Sequence, residues 1–374
     1  MKRVLITGAS GLIGWHAHAR LHAANCAKIF EGKPVPYDIV ALNHVSFDDA
    51  KELQSAVVGV EAILHFAGVN RGSDENVASA NVEIALRLVE ACKVAKIHPH
   101  IVYANSIHSF GDTVYGQSKR AAGDVFQAFT SHYTNLILPH IFGECARPFY
   151  NNVTGTLIHQ LVSGENVSVN PDGHTQLLHA GEAAQIGIDA ILSGAFGQLQ
   201  PKPHHITVPN LFAKLKHFHD SYNANIYPDI SEAVDLALFN SYRAATYPNH
   251  WPRHLKLKSD HRGALFEAIK SSSGGQVFLS TTQPAVTRGD HFHLNKVERF
   301  LVLKGEAVIR IRKVLSSEVW EYRVSGDKPA PIDMPTLHTH SIENVGDGEL
   351  LTLFWTHDFF NPSDTDTYAD KVLQ

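Results

Sequence analysis

The chain has 374 residues, more than one ordinary domain holds, so two domains are the natural expectation. A hydrophobic share of 44% and a charged share of 18% are those of a globular protein, which argues against a disordered or fibrous chain. A formal charge of −5, with no run of Lys or Arg, argues against nucleic acid or a membrane surface as partner. Met1-Lys2-Arg3 before Val4-Leu5-Ile6 imitates a signal peptide only until Thr7-Gly8 ends the apolar run, and no stretch approaches a spanning helix. Cys26, Cys92 and Cys145 are few and widely spaced, which suits a reducing cytoplasm, the expected location.

Residues 2–7 form a short β-branched run that meets Gly8-Ala9-Ser10-Gly11-Leu12-Ile13-Gly14, after which 15–24 reads as helix. Strand, glycine turn and helix together suit a pyrophosphate: Gly8 permits the turn, Gly11 lets phosphate approach the backbone, and Gly14 lets helix pack on strand. Alone, such a fingerprint is as readily a structural turn. Residues 38–42 and 61–66 are further apolar strands that alternate with helical segments 48–57 and 76–95, the rhythm of a parallel sheet. The candidate cofactor contacts are Gly8, Ser10, Gly11, Leu12, Ile13, Gly14, Phe66, Ala67 and Gly68. The second strand ends Leu42-Asn43-His44 without an acid, so Asn43 and His44 favour NADP over NAD, although Asn-His is equally a plain loop.

Val102-Tyr103-Ala104-Asn105-Ser106 is followed by Tyr115-Gly116-Gln117-Ser118-Lys119. Tyr115 and Lys119 are four apart and share a helical face, so the ammonium can lower the phenol's pKa while Ser106, at a strand end, reaches the same substrate oxygen. This grouping resembles the extended short-chain dehydrogenase/reductase family over roughly residues 1–245. The resemblance implies a catalytic set of Ser106, Tyr115 and Lys119, with Tyr115 and Lys119 also touching the cofactor. It also implies that Asn81 supports the active-site backbone. Pro139-His140-Ile141-Phe142-Gly143 resembles a turn that touches sugar nucleotides, with His140 where the family carries Asn; Arg147 is a candidate diphosphate ligand. His179-Ala180-Gly181-Glu182 departs from the family's usual Tyr-Val-Asp-Asp.

Residues 211–220 and 231–242 read as helices, the second capped by Ser231, and the turn-rich connector Tyr247-Pro248-Asn249-His250-Trp251-Pro252 marks the domain boundary, 1–248 against 249–374. Beyond it, period-two runs at 265–269, 276–280, 298–303, 307–312, 318–324 and 350–355 read as an antiparallel barrel. His291 and His293 are two apart and can share one ion; Glu298 requires a turn to come back to their face, Gly305 closes the next strand, and His340 offers a third imidazole. His-x-His, four residues, Glu, six residues, Gly, then the distant His340, resembles the motifs of the cupin family, a small β-barrel. That resemblance implies a divalent metal on His291, His293, Glu298 and His340. The donor set suits Zn, Ni, Fe or Mn, with Zn foremost. Ala285 and Leu337 stand where the pattern has Gly, which weakens the turns; a metal-free barrel with packed histidines is the bland alternative.

Asp260-His261-Arg262-Gly263 with Glu267, ahead of the motif, follows the order seen in cupin enzymes acting on nucleotide-linked 4-keto sugars, which implies that Arg262 and Glu267 reach substrate and that the protein is a homodimer. Over nearly its full length the chain resembles the CapF-like family of capsular polysaccharide enzymes, an extended short-chain reductase fused to a metal cupin. The expected fold is therefore α/β plus all-β, a Rossmann-type doubly wound sheet followed by a cupin jelly roll. The implied function is bifunctional: C3 epimerisation of a UDP-linked 2-acetamido-2,6-dideoxy-4-hexulose, with His338 a candidate proton carrier, then NADPH-dependent C4 reduction to the L-talose product on the route to UDP-N-acetyl-L-fucosamine. A single-function reductase with a structural cupin, and a non-catalytic NADP(H) sensor, stay open as alternatives.

Overall fold

The structure is a computed structural model that describes residues 1–261 and 263–374; Arg262 lies outside the described residues. The chain forms two compact units, Met1–Thr156 with Asn170–Val208, and Leu157–Val169 with Pro209–Gln374. They part near residue 208, not at the aromatic connector, because the two helices before that connector pack with the second unit. No helix of the described residues is long and apolar enough to cross a membrane.

The first unit contains strands β1 (Lys2–Thr7), β2 (Tyr37–Leu42), β3 (Ala62–His65), β4 (His100–Ser106), β5 (Tyr133–Leu138), β6 (His140–Phe142), β7 (His174–His179), β8 (Gly197–Leu199) and β9 (His204–Thr207). Its helices are α1 (Leu12–Phe30), α2 (His44–Asp48), α3 (Ala50–Ala56), α4 (Asp74–Val94), α5 (Val114–Phe129), the start of α6 (Val153–Ser163) and α7 (Ala180–Ser193). Six strands form one sheet in the order β2-β1-β3-β4-β5-β8, every neighbouring pair parallel. The strands are near-continuous apolar runs because both faces are covered. Val4, Ile6, Leu64 and Val102 meet α1 and α7 on one side, while Leu5, Ile63, Ile101 and Tyr103 meet α4 and α5 on the other. The chain reverses direction of winding between β1 and β3, which opens a crevice at their carboxyl ends. Gly14 is required there: a Cβ would lie 2.1 Å from the Gly8 carbonyl oxygen.

After Leu157–Val169 the second unit continues with α8 (Val208–Asn223) and α9 (Ala233–Thr246), then β10 (Lys258–Asp260) and β11 (Gly263–Leu265), a separate antiparallel pair. The remaining strands are β12 (Gln276–Thr282), β13 (Thr287–Phe292), β14 (Glu298–Lys304), β15 (Glu306–Lys313), β16 (Val319–Ser325), β17 (Ile332–Met334), β18 (His338–Asn344), β19 (Leu350–Thr356) and β20 (Tyr368–Ala369). They make two antiparallel sheets, β12-β19-β14-β17 and β16-β15-β18-β13-β20, whose inner faces meet where Phe300 of β14 stands edge-on to His340 of β18. The outer side of β14 carries a buried ion pair, with Arg299 Nε 2.6 Å and Nη2 3.0 Å from the two Asp333 oxygens. Tyr222 of α8 donates to the same carboxylate at 2.6 Å, and Arg243 of α9 donates to the Met334 carbonyl, which seats both helices on this sheet.

Two local expectations change. Ser231 does not cap α9, which starts at Ala233; its backbone N–H and its hydroxyl both donate to Asp229 instead. The strand expected over 265–269 stops at Leu265, because the carbonyls of Glu267 and Ala268 accept from the side chains of Asn225 and Arg299, and that of Lys270 accepts from Tyr227 in an isolated bridge outside the sheets. Ala285 and Leu337, by contrast, keep the turns a glycine would make: both are left-handed, at φ +60° and +59°. An alanine there is strained by ~1 kcal/mol. Ala285→Gly is therefore expected to raise the melting temperature by a few degrees and Ala285→Val to lower it, measured by calorimetry.

Candidate active site

The crevice of the first unit is a cleft of about 1000 Å³. Ser10, Gly11, Leu12 and Ile13 form one wall, at the amino terminus of α1, whose cap residue Gly11 supplies no side-chain bond. Its first N–H groups remain available to an anion. Phe66 and Gly68 follow β3 along the same wall. The floor is built by β4 and α5: Ser106 ends β4, Thr113 caps α5 by accepting from the Gly116 N–H at 3.1 Å, and Tyr115 and Lys119 face the cleft from successive turns. Asn81 of α4 locks the loop after β3, accepting from Val69 N–H at 3.0 Å and donating to Val69 O at 2.8 Å and to Ser118 Oγ at 3.0 Å.

Lys119 is buried. Its Nζ donates to the Ala104 carbonyl at 2.6 Å and sits 4.1 Å from the centre of the Tyr103 ring, and burial pushes it down to about 7. Burial also raises the Tyr115 phenol, against a hydrogen bond from Ser106 that lowers it. The phenol is thus tuned here by burial and Ser106, while the ammonium is turned toward β4; this differs from the expectation that Lys119 lowers it.

In the second unit the structure brings His291, His293, Glu298 and His340 together, with one ligand atom from each lying within 4.8 Å of the others. β13 carries a bulge between Gly289 and His291, with Asp290 left-handed at φ +55°, and this re-aims the histidines toward β14. The donor set fits a divalent ion. His293 Nδ1 lies 2.5 Å from the Asp366 carbonyl and His340 Nδ1 3.2 Å from that of His338, so each ring donates outward. Their Nε2 lone pairs then both face Glu298 Oε2 at 3.2 Å, an arrangement of acceptors that a cation between them satisfies. Burial keeps His291 neutral, at about 3, as a ligand must be. His338, two residues before His340 on β18, is buried, its Nδ1 2.8 Å from Thr336 O and its ring 4.8 Å from that of Tyr247.

Residues 4–195, 192 of 374, match the model of the NAD dependent epimerase/dehydratase family, and 258–368 match a polysaccharide biosynthesis C-terminal domain. The chain belongs to the NAD dependent epimerase/dehydratase family. A Pseudomonas aeruginosa protein described as UDP-2-acetamido-2,6-beta-L-arabino-hexul-4-ose reductase is 28% identical, over 99% of each chain. The crystal structure of the capsular polysaccharide assembling protein CapF from Staphylococcus aureus is similar over 99% of this chain and 100% of its own, at 28% identity and a TM-score of 0.61. A uronate dehydrogenase from Agrobacterium fabrum is 34% identical over 33% of this chain and 48% of its own.

Within this epimerase/dehydratase unit the other expected residues fall in several places. His140 and Arg147 line the cleft, whereas Gly8, Gly14 and Ala67 lie beneath it as backbone packing. His140 presents a buried Nε2 without a hydrogen bond among the described residues, and Arg147 lies over the Tyr150 ring at 5.0 Å. Asn43 and His44 do not line the cleft; the Asn43 amide caps α2 by accepting from Ser46 at 3.0 Å. Glu267, in the second unit, is exposed and pairs with Lys270 at 3.2 Å. Sequence reasoning missed His108, whose ring stands 6.1 Å from that of Tyr115, and His174 and Gln176, which flank Thr175 on the cleft edge of β7. β7 is the central strand of the small sheet β6-β7-β9, and its polar run His174-Thr175-Gln176 carries no apolar alternation that would have marked it.

The buried Lys119 generates a pH prediction. Unfolded, the amine titrates near its ordinary 10.5, and folded near 7, so between these values the unfolded chain binds the extra proton and stability rises with pH. Lys119→Met should melt above wild type at neutral pH and below, and the difference should shrink as pH rises toward 10.5, followed by thermal denaturation across that window.

Proposed function

We propose that the protein is a bifunctional sugar-nucleotide enzyme of polysaccharide precursor synthesis. Its second unit, read as a metal cupin, epimerises C3 of a UDP-linked 2-acetamido-2,6-dideoxy-4-hexulose, and its first unit then reduces C4 with NADPH to UDP-2-acetamido-2,6-dideoxy-L-talose. The single observation that carries the reading is the presence, on one chain, of Ser106, Tyr115 and Lys119 beside an anion-ready helix terminus and of a three-imidazole, one-carboxylate focus. Full-length likeness to a hexulose reductase supports the substrate class.

The residues suit the chemistry. NADPH, when bound, supplies the hydride for C4. Tyr115 gives its phenolic proton to the oxygen as negative charge develops there, Ser106 hydrogen-bonds the same oxygen, and Lys119 keeps the floor in place through Ala104. His140, with an open Nε2 on the cleft wall, is suited to a sugar hydroxyl, and Arg147 to the diphosphate. The lack of an acid after β2 supports NADPH over NADH. Epimerisation needs removal and return of the C3 proton, which the C4 ketone acidifies, and His338 is the candidate carrier. A divalent metal held by His291, His293, Glu298 and His340, with Zn foremost, would supply Lewis acidity and brace β13, β14 and β18.

Incubation of the 4-keto sugar nucleotide in deuterated water tests both halves. Deuterium should enter C3 without NADPH, and NADPH oxidation should follow its addition; oxidation without prior exchange would leave a single-function reductase. Tyr115→Phe should lower reductase kcat by about 10²- to 10⁴-fold while C3 exchange continues. His340→Ala should remove about one equivalent of metal per chain, read by metal analysis independently of turnover.

A further inference from the structure

We infer that Glu144 is a positioning residue: its carboxylate, facing His179, and its backbone carbonyl, facing His16, together latch the segment 143–152, the substrate-side wall of the cleft, onto α7 and α1. The inference deepens the reading just given and rests on it. Three separate pieces of the first unit meet at this residue. His16 lies one turn into α1, His179 stands at the amino-terminal cap position of α7, and Glu144 follows β6. Glu144 and His16 are each 1% exposed, although most of the surrounding segment is open to solvent. His179 Nε2 is 2.7 Å from Glu144 Oε2, and His16 Nε2 is 3.3 Å from the Glu144 carbonyl and 3.7 Å from Oε2.

Of the pieces held, α1 and α7 need no help. Ala17, Ala19 and Leu21 of α1 and Ala180, Ala183 and Ala184 of α7 are fully or almost fully buried in the core. The segment between β6 and α6 has no such anchor and carries three left-handed residues that are not glycine, Cys145, Phe149 and Asn151 at φ +65°, +58° and +49°. Such a backbone persists only where its surroundings impose it. Its far end is tied by Arg71 to the Phe149 carbonyl at 2.5 Å and by Asn151 to the Asn70 carbonyl at 3.0 Å. Glu144 is the corresponding tie at the near end. The packing there is tight: a Cβ on Gly143 would lie 3.2 Å from His16 Nε2 and 3.3 Å from His179 Nε2. The segment gives the cleft Cys145, Arg147, Tyr150, Asn151 and Asn152, so the latch sets where Arg147 stands relative to the cofactor wall.

The test compares Glu144→Ala, Glu144→Gln and His179→Asn in the full-length protein. Glu144→Ala should raise KM for the 4-keto sugar nucleotide by about tenfold or more, with kcat and NADPH affinity changed by less than about threefold. Glu144→Gln, whose amide oxygen still accepts from His179, should recover most of that loss; an effect of charge alone or of general destabilisation would not be rescued in this way. Amide hydrogen exchange over 143–152 should quicken in Glu144→Ala and return toward wild type in Glu144→Gln, a readout independent of the substrate. If wild type fails to turn over the sugar nucleotide while the exchange pattern holds, the proposed function falls and the latch stands. Unchanged exchange and KM in folded Glu144→Ala, an equal loss of NADPH affinity, or loss of a bound metal equivalent with Glu144 would each overturn the latch.

Discussion

The amino-terminal site depends on one ammonium–carbonyl hydrogen bond, from Lys119 to Ala104. A lysine forced out of water must find an acceptor, and the carbonyl it finds lies two residues before Ser106 on β4. That bond sets the rotation of α5 against the sheet and, one turn earlier, the place of Tyr115 over the same strand end. Asn81 does the matching work from the other side, joining the loop after β3 to Ser118 on α5. The phenol, the hydroxyl of Ser106 and the turn before α1 are thereby held at one crevice by polar groups that the fold cannot leave unpaired.

The second unit solves a related problem differently. Glu298 and Arg299 are neighbours on β14 and point to opposite faces of the sheet. Inward, Glu298 meets three imidazoles; outward, Arg299 meets Asp333 and, through it, Tyr222 of α8. One strand therefore carries two charges of opposite sign, one on each face of the sheet. Moving β14 by one residue would put the arginine among the histidines, so pairing of these charges fixes the register together with the apolar alternation.

Local pattern made much of this legible. The strand–turn–helix at residues 2–24, the four-residue spacing of Tyr115 and Lys119, and the spacing of His291, His293, Glu298 and His340 each depend on contacts that a repeat or a tight turn imposes. What stayed illegible has two causes. Asp229, two residues before Ser231, competes locally for the hydroxyl expected as a helix cap. The other cause is distance in the chain: nothing near residues 266–270 shows that Asn225 and Arg299 will take their carbonyls. Ala285 and Leu337 are instructive in the opposite sense. Their side chains argue against left-handed turns, and the hydrogen bonds Ala285 N–H to Asn344 O at 3.0 Å and Leu337 N–H to His293 O at 2.8 Å impose the turns regardless.

Two sets of histidines around a glutamate occur in the described residues, and proton placement separates them. In the second unit His293 and His340 spend their Nδ1 protons on backbone carbonyls, so the nitrogens that face Glu298 carry lone pairs. Lone pairs and a carboxylate facing one another repel until a cation joins them, which is the state a metal ligand set should present. Around Glu144 the order is reversed. His16 Nε2 faces a carbonyl and His179 Nε2 a carboxylate, and neither oxygen can donate, so both nitrogens must bring the proton. Those protons point where an ion would have to sit, one bound by the carboxylate and the other by the backbone carbonyl of the same glutamate. The same two residue types therefore make a focus for a cation in one unit and a closed knot in the other, and the second arrangement is suited to holding a strained segment of backbone where it is.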